Sequence, residues 1–184
     1  MNRDEALKLL REHLKNENLI KHCLASEAVM AALADKLGKN RQMWALAGLL
    51  HDLDVELTEA NLHSHGIESM KILQSHGIDP EIIDAIRMHN ELAHNEKRST
   101  VFHHALAAGE TITGLIIATT LVHPDKKLAA VKPQSIVKRM KEKSFARSVN
   151  RDIIHECELI GIPLPEFAEL ALKAMQGIDN VLGL

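Results

Sequence analysis

The chain reads as an all-α protein, and three observations carry that expectation. Only 2% of its 184 residues are aromatic and none is Tyr, whereas strand-rich cores draw on rings and β-branched side chains. Ala, Leu, Lys, Glu and Met dominate instead, the residues that lose least on entering a helix. Apolar side chains recur at three- and four-residue spacing, and no segment stands out with an alternation of period two.

The elements follow in order. Asn2 with Glu5 three residues on has the form of a capping box, and Leu7, Leu10 and Leu14 keep helical spacing behind it. A second helix is predicted from about Asn18 to Leu37, stopped by Gly38. Its face of Leu24, Ala28, Ala31 and Ala32 is small and apolar, so a neighbouring helix can approach closely. Asn40 caps a third helix, Arg41 to about Leu50. An acidic loop covers residues 53–63, and Ser64 is the expected cap of a fourth helix ending at Gly77. Asp79-Pro80-Glu81 is a helix start, with Asp at the cap and Pro in the first turn. That fifth helix runs to His89, and a polar loop covers 90–98. Ser99 opens a long sixth helix that ends at His123-Pro124. Two helices follow a connector, at about 134–142 and 150–160, the latter closed by Gly161. Pro163 and Pro165 mark the turn into a last helix reaching about Leu182.

Composition narrows the function classes. Hydrophobic residues at 46% and charged residues at 26% are the balance of a globular protein, and 184 residues suit one core better than two. A net charge of -3 points to neither a membrane surface nor a nucleic-acid polymer as partner. The first residues lack the apolar run of a signal peptide, and the longest apolar-rich stretch, Leu115 to Val122, is short for a membrane span. A cytoplasmic, reduced protein is expected, with Cys23 and Cys157 as buried thiols. Association of copies is left open.

The unusual feature is histidine, 12 residues in all. His51-Asp52 ends an otherwise apolar helix, Trp44-Ala45-Leu46-Ala47-Gly48-Leu49-Leu50. An ionised Asp at the end of such an approach is costly to bury without a partner cation; equally, the helix can simply emerge into solvent there. His22, His65, His89 and Glu110 lie on other predicted helices, each in small or apolar company. Each alone could be a core residue satisfied by backbone. One shared metal centre explains them together, since imidazole and carboxylate are ligands for the same ions. His63, His103 and His104 are spare candidates. His103 stands seven residues from Glu110 on the same helical face and is an additional candidate ligand.

In order, His22, His51-Asp52, His65-Gly66, Ile86-Arg87-Met88-His89 and the acid Glu110 resemble the H…HD…H…H…D pattern of the HD superfamily of metal-dependent phosphohydrolases, in its HDIG branch. Ala47 to Asp54, Thr113-Gly114-Leu115-Ile116 and Lys138 to Ala146 are similar to that branch, and the resemblance covers about residues 18–183. It implies one HD-type domain over 1–184, with a metal-site core at about 18–123 and a helical extension at about 124–184. It implies a first metal on His22, His51, Asp52 and Glu110, with Asp52 bridging to a second on His65 and His89. The expected cofactor is one or two divalent ions of iron, manganese or zinc. Asp52 and His51 would be the catalytic pair, and a nucleotide or other small phosphate ester the substrate. Three positions depart from the pattern: Glu110 replaces Asp, Leu53-Asp54 replaces Ile-Gly, and Val55 stands where some members carry Lys.

The basic stretch 126–151 holds nine Lys or Arg against Glu142 alone. It is either a solvated face or a source of phosphate contacts, for which Lys138, Arg139 and Lys143 are the candidates. Lys138 with Lys141, or Arg139 with Lys143, can share a helical face. Arg139 with Lys143 is favoured because the two would present a guanidinium fork beside a mobile ammonium. Two other readings keep the fold: a di-iron oxygenase, because His and carboxylate also suit iron, and a non-catalytic nucleotide-binding or interaction module.

Overall fold

The structure is a computed structural model that describes residues 1–94 and 96–184. Residue 95, inside the loop expected at 90–98, lies outside the described residues. Among the described residues there is no strand, and the helices are α1 (Arg3–His13), α2 (Glu17–Leu37), α3 (Arg41–Leu50), α4 (Ile67–Ser75), α5 (Pro80–His89), α6 (Val101–Leu121), α7 (Pro133–Met140), α8 (Arg151–Ile154), α9 (Leu164–Gln176) and α10 (Asp179–Leu182). The all-α expectation holds.

Local chemistry sets most boundaries. Asn2 and Glu5 form a reciprocal capping box: the Asn2 side chain accepts from Glu5 N–H at 2.9 Å, and the Glu5 carboxylate accepts from Asn2 N–H at 2.8 Å. Asn16, Asn40 and Asp79 cap α2, α3 and α5 through their side chains. Gly38 ends α2 in the left-handed region at φ 64°, where a Cβ would be strained.

Four boundaries differ from expectation. Ser64 does not cap α4; its hydroxyl donates to Asn61 O, and the helix starts after Gly66. The cap is supplied from elsewhere, by Asp54. Helix α6 is capped by Thr100 rather than Ser99, because the Thr100 hydroxyl accepts from His103 N–H at 3.1 Å. The helix expected over 150–160 is α8 followed by a 3₁₀ turn, His155–Ile160. The last helix is broken at Gly177, where α9 ends.

Helix α6 is the axis of the fold. It packs against α2, α5, α8 with its 3₁₀ continuation, α7 and α9. By length and composition it could cross a membrane, but most of it is buried by these neighbours, the surroundings of a core helix. Two glycines let helices close on each other. A Cβ on Gly48 would stand 2.6 Å from the Ser26 backbone oxygen, so α3 meets α2 backbone to backbone. A Cβ on Gly109 would stand 3.0 Å from Met30 Sδ, so α6 also packs closely on α2. Trp44 stacks on Phe102 with centroids 4.9 Å apart, fixing α3 beside α6. Cys23 and Cys157 are buried free thiols.

Candidate metal centre

The close contact at Gly48 has a direct consequence one turn later. His51 ends α3 beside His22 of α2, with their Nε2 atoms 3.2 Å apart. Asp52 follows at the first turn beyond the helix. His65 comes from the turn before α4, and His89 is the last residue of α5; their Nε2 atoms are 2.9 Å apart.

The Asp52 carboxylate lies between the two pairs. Its Oδ1 is 3.1 Å from His65 Nε2, 3.4 Å from His51 Nε2 and 3.7 Å from His89 Nε2. Its Oδ2 is 3.6 Å from His22 Nε2. Two groups able to hold a metal ion result, His22–His51–Asp52 and Asp52–His65–His89, joined at Asp52. Glu110 stands at the edge of the first, with Oε2 3.7 Å from His22 Nε2 and Oε1 accepting from the Thr111 hydroxyl.

What turns the rings inward is the hydrogen bonding of the other ring nitrogen. His51 Nδ1 is 2.8 Å from Gly48 O, and His89 Nδ1 is 2.5 Å from Ile86 O. Carbonyl oxygens only accept, so both Nδ1 atoms carry hydrogen. His22 Nδ1 is 2.9 Å from Thr113 Oγ1, whose own hydrogen goes to Glu110 O at 2.7 Å, so His22 Nδ1 donates as well. His65 Nδ1 donates to Asp54 Oδ1 at 2.8 Å. In their neutral forms all four imidazoles therefore present Nε2 lone pairs to one another and to a carboxylate. Lone pairs facing each other at about 3 Å repel, and a cation at their centre removes the repulsion. The donor set of imidazole nitrogen and carboxylate oxygen suits a divalent transition metal.

Asp54 is the residue that sequence reasoning passed over, noted there only as a departure from Ile-Gly. It is fully buried, and its Oδ2 accepts from Gly66 N–H at 2.8 Å and Ser69 N–H at 3.0 Å. One carboxylate thus caps α4 and orients His65, the carboxylate–histidine arrangement that fixes a metal-binding ring. No local spacing signals a contact spanning eleven to fifteen residues. Gly66 makes the turn feasible, since its φ of 95° excludes most side chains.

Electrostatics follow the same geometry. Burial pushes His22 down to about 4 and His89 down to about 3, favouring the neutral form a metal requires. Burial acts the same way on His65, but hydrogen bonds to Asp52 and Asp54 outweigh it and raise the ring to about 10. Asp52 is held well below the carboxylate range: burial opposes this, and His51, His65, His22 and His89 overcome it. Burial lifts Glu110 to about 8 against the Thr111 hydrogen bond, with the Asp52 charge adding to the rise.

The structure does not bring His103 to this cluster. Its Nε2 is 2.7 Å from Asp84 Oδ2 and its Nδ1 accepts from Ser99 N–H, so both nitrogens are engaged away from the metal groups. His63 is exposed, and His104 Nδ1 pairs with Glu156 at 2.7 Å. In the basic stretch, Arg139 is paired with Glu142 and lies 4.3 Å over the Phe145 ring, so its guanidinium is already committed. Lys138 and Lys143 are exposed, with no carboxylate partner among the described residues. The segment beyond them approaches the centre: Val149 Cγ2 would meet a Cβ on Gly114 at 3.3 Å, four residues past Glu110 on α6.

Helices that converge two His–Asp groups on a shared carboxylate define a class, and residues 19–144 match the HD domain family. The chain belongs to that family. Among curated proteins it is similar to Ribonuclease Y of Geobacter metallireducens and of Geotalea uraniireducens, each 29% identical over 99 residues, covering 54% of this chain and 18% of the relative. Ribonuclease Y of Helicobacter pylori is 28% identical over 96 residues, half of this chain. The match therefore spans about a fifth of those relatives' length.

Proposed function

We propose that this protein is a metal-dependent phosphohydrolase acting on a nucleotide or another small phosphate ester. The observation that carries the reading is the inward set of four Nε2 atoms around Asp52. On this reading His22, His51 and Asp52, with Glu110 at their edge, hold one ion, and Asp52, His65 and His89 hold a second. Iron, manganese and zinc all fit the donors. Such ions supply an activated water at neutral pH and a clamp on the attacking and leaving oxygens of an in-line displacement. The chain's own part is to orient and to exclude. Gly48 O, Ile86 O, Thr113 and Asp54 hold the four rings, Asp52 spans the two groups, and the surrounding core keeps bulk water from them.

Phosphate contact falls to Lys138 and Lys143 rather than Arg139, which Glu142 and Phe145 already occupy. Phosphoester chemistry is supported by the family match and by the relatives named as ribonucleases. The net charge of -3 supports small esters over a long polyanion.

The test is chromatographic analysis of the products formed from a panel of nucleoside monophosphates, dinucleotides and a short RNA, using protein reloaded with Mn²⁺, Fe²⁺ or Zn²⁺. Turnover of the small esters, abolished together with metal retention by Asp52→Ala, is the expected result. Cleavage of RNA alone would overturn the small-ester reading. Iron-dependent oxygen consumption without ester turnover would overturn hydrolysis.

A further inference from the structure

We propose that Arg98 is a positioning residue for the His65–His89 half of the centre, and that the C-terminal segment acts on that half through it by way of Glu156. The inference rests on the two-ion reading above. Its ground is the end of α5. The last carbonyls of a helix have no intrahelical partner, and in α5 those carbonyls surround His89. Ile86 O takes the His89 ring itself. Met88 O and His89 O are taken by a single group, the Arg98 guanidinium, whose Nη1 donates to them at 3.1 and 3.0 Å.

The opposite edge of the same guanidinium is held by Glu156. Nε donates to its Oε2 at 2.8 Å and Nη2 to its Oε1 at 2.7 Å, a planar two-pronged pair. The Arg98 side chain is only 6% exposed, so solvent does not substitute for these contacts. His104 on α6 holds the second lone pair of Glu156 Oε2 at 2.7 Å, and the Arg98 N–H donates to Glu91 at 2.7 Å. Asn90, next after His89, donates to Leu62 O at 2.7 Å and His65 O at 2.9 Å, so the backbone that carries His89 is tied to the backbone that carries His65.

Glu156 lies beyond residue 144, where the match to the family ends. The segment after the shared portion therefore reaches back and fixes the backbone of one candidate ligand. Among the described residues nothing comparable touches His22 or His51, whose rings are held by Gly48 O of α3 and the Thr113 hydroxyl of α6. A planar fork is needed, because one ammonium cannot face two carbonyls and two carboxylate oxygens at once.

The experiment titrates the metal-free full chain with Mn²⁺ alone, by calorimetry, for wild type, Arg98→Met, Arg98→Lys, Glu156→Gln and Arg87→Met. Arg87 is on α5 too but pairs outward with Asp84 and Glu96. The expected result is two binding events in wild type, and a ten- to hundredfold loss in one of them for Arg98→Met, the range seen for partners of metal ligands. Arg98→Lys and Glu156→Gln should fall between, and Arg87→Met should match wild type. If Arg98→Met does not fold, Arg98→Lys and Glu156→Gln carry the same comparison. Equal weakening of both events, no weakening, or the same loss in Arg87→Met would overturn the inference. A wild type that takes up no second ion would overturn the two-ion reading instead, and the inference with it.

Discussion

The two halves of the centre are built by different physics. His22 and His51 stand on α2 and α3 where the helices touch at Gly48, and neutral acceptors, Thr113 Oγ1 and Gly48 O, orient their rings. His65 and His89 stand on a turn and a helix end. Their supports are the charged Asp54 and Arg98, beside one carbonyl. The first half is set by packing and the second by buried electrostatics. The first should therefore tolerate changes of charge and resist changes of volume, and the second the reverse.

Asp54→Ala is the largest challenge to that contrast. It leaves a His65 ring and two N–H groups without their acceptor in a buried site, and should cost about 3–5 kcal/mol of stability in the metal-free chain. Urea denaturation reads the loss, and a cost under 1 kcal/mol would deny the second half its electrostatic support. Gly48→Ala is the matching change in volume. Its Cβ would meet backbone rather than a side chain that could turn away, so a loss near 3 kcal/mol is expected, the upper end for overpacking. Should the variant be as stable as wild type, the helices do not depend on that contact. Thr113→Val removes one neutral acceptor at nearly constant volume. About 1–3 kcal/mol should be lost, and Mn²⁺ affinity should fall about tenfold in one binding event only; a fall in both would erase the distinction between halves. The smallest effects belong to Lys138→Gln and Lys143→Gln, which should leave melting temperature and metal content unchanged, since exposed charges contribute little. Under the proposed function they raise KM for a phosphate ester, and an unchanged KM would return both lysines to the solvated surface.

Helices with local caps were legible in the sequence. The capping box at Asn2, the Asn40 cap, the Asp79-Pro80 start and the Gly38 stop each depend on residues within a turn of one another. The start of α4 was not legible, because its cap is Asp54, a turn and a loop away. The same division runs through the site. The ordered spacing of His22, His51, Asp52, His65 and His89 pointed to one location, and the structure brings the five together. What holds them there was invisible: Thr113 reaches across from α6, Arg98 and Glu156 are far apart in the chain, and Asp54 acts on residues beyond its own turn. His103 shares a helical face with Glu110, but α6 is long enough for one face to meet two different neighbours, and Asp84 of α5 is the one His103 meets.

The four imidazoles are locked through Nδ1 before any ion arrives, and this bears on how the chain folds. Their rotamer entropy is lost in folding rather than in metal binding. The repulsion between the facing Nε2 atoms of His22 and His51 is a cost that the metal-free fold carries alone, whereas the His65 ring, raised to about 10, donates to Asp52 until an ion displaces its proton. An ion that binds only the assembled centre then acts as a cross-link among α2, α3, the turn before α4 and α5. At a free concentration one hundred times its Kd it would add about 2.7 kcal/mol to folding. Under the proposed function the melting temperature should follow the metal supply around the protein, and chelation should lower it with no change to the covalent chain.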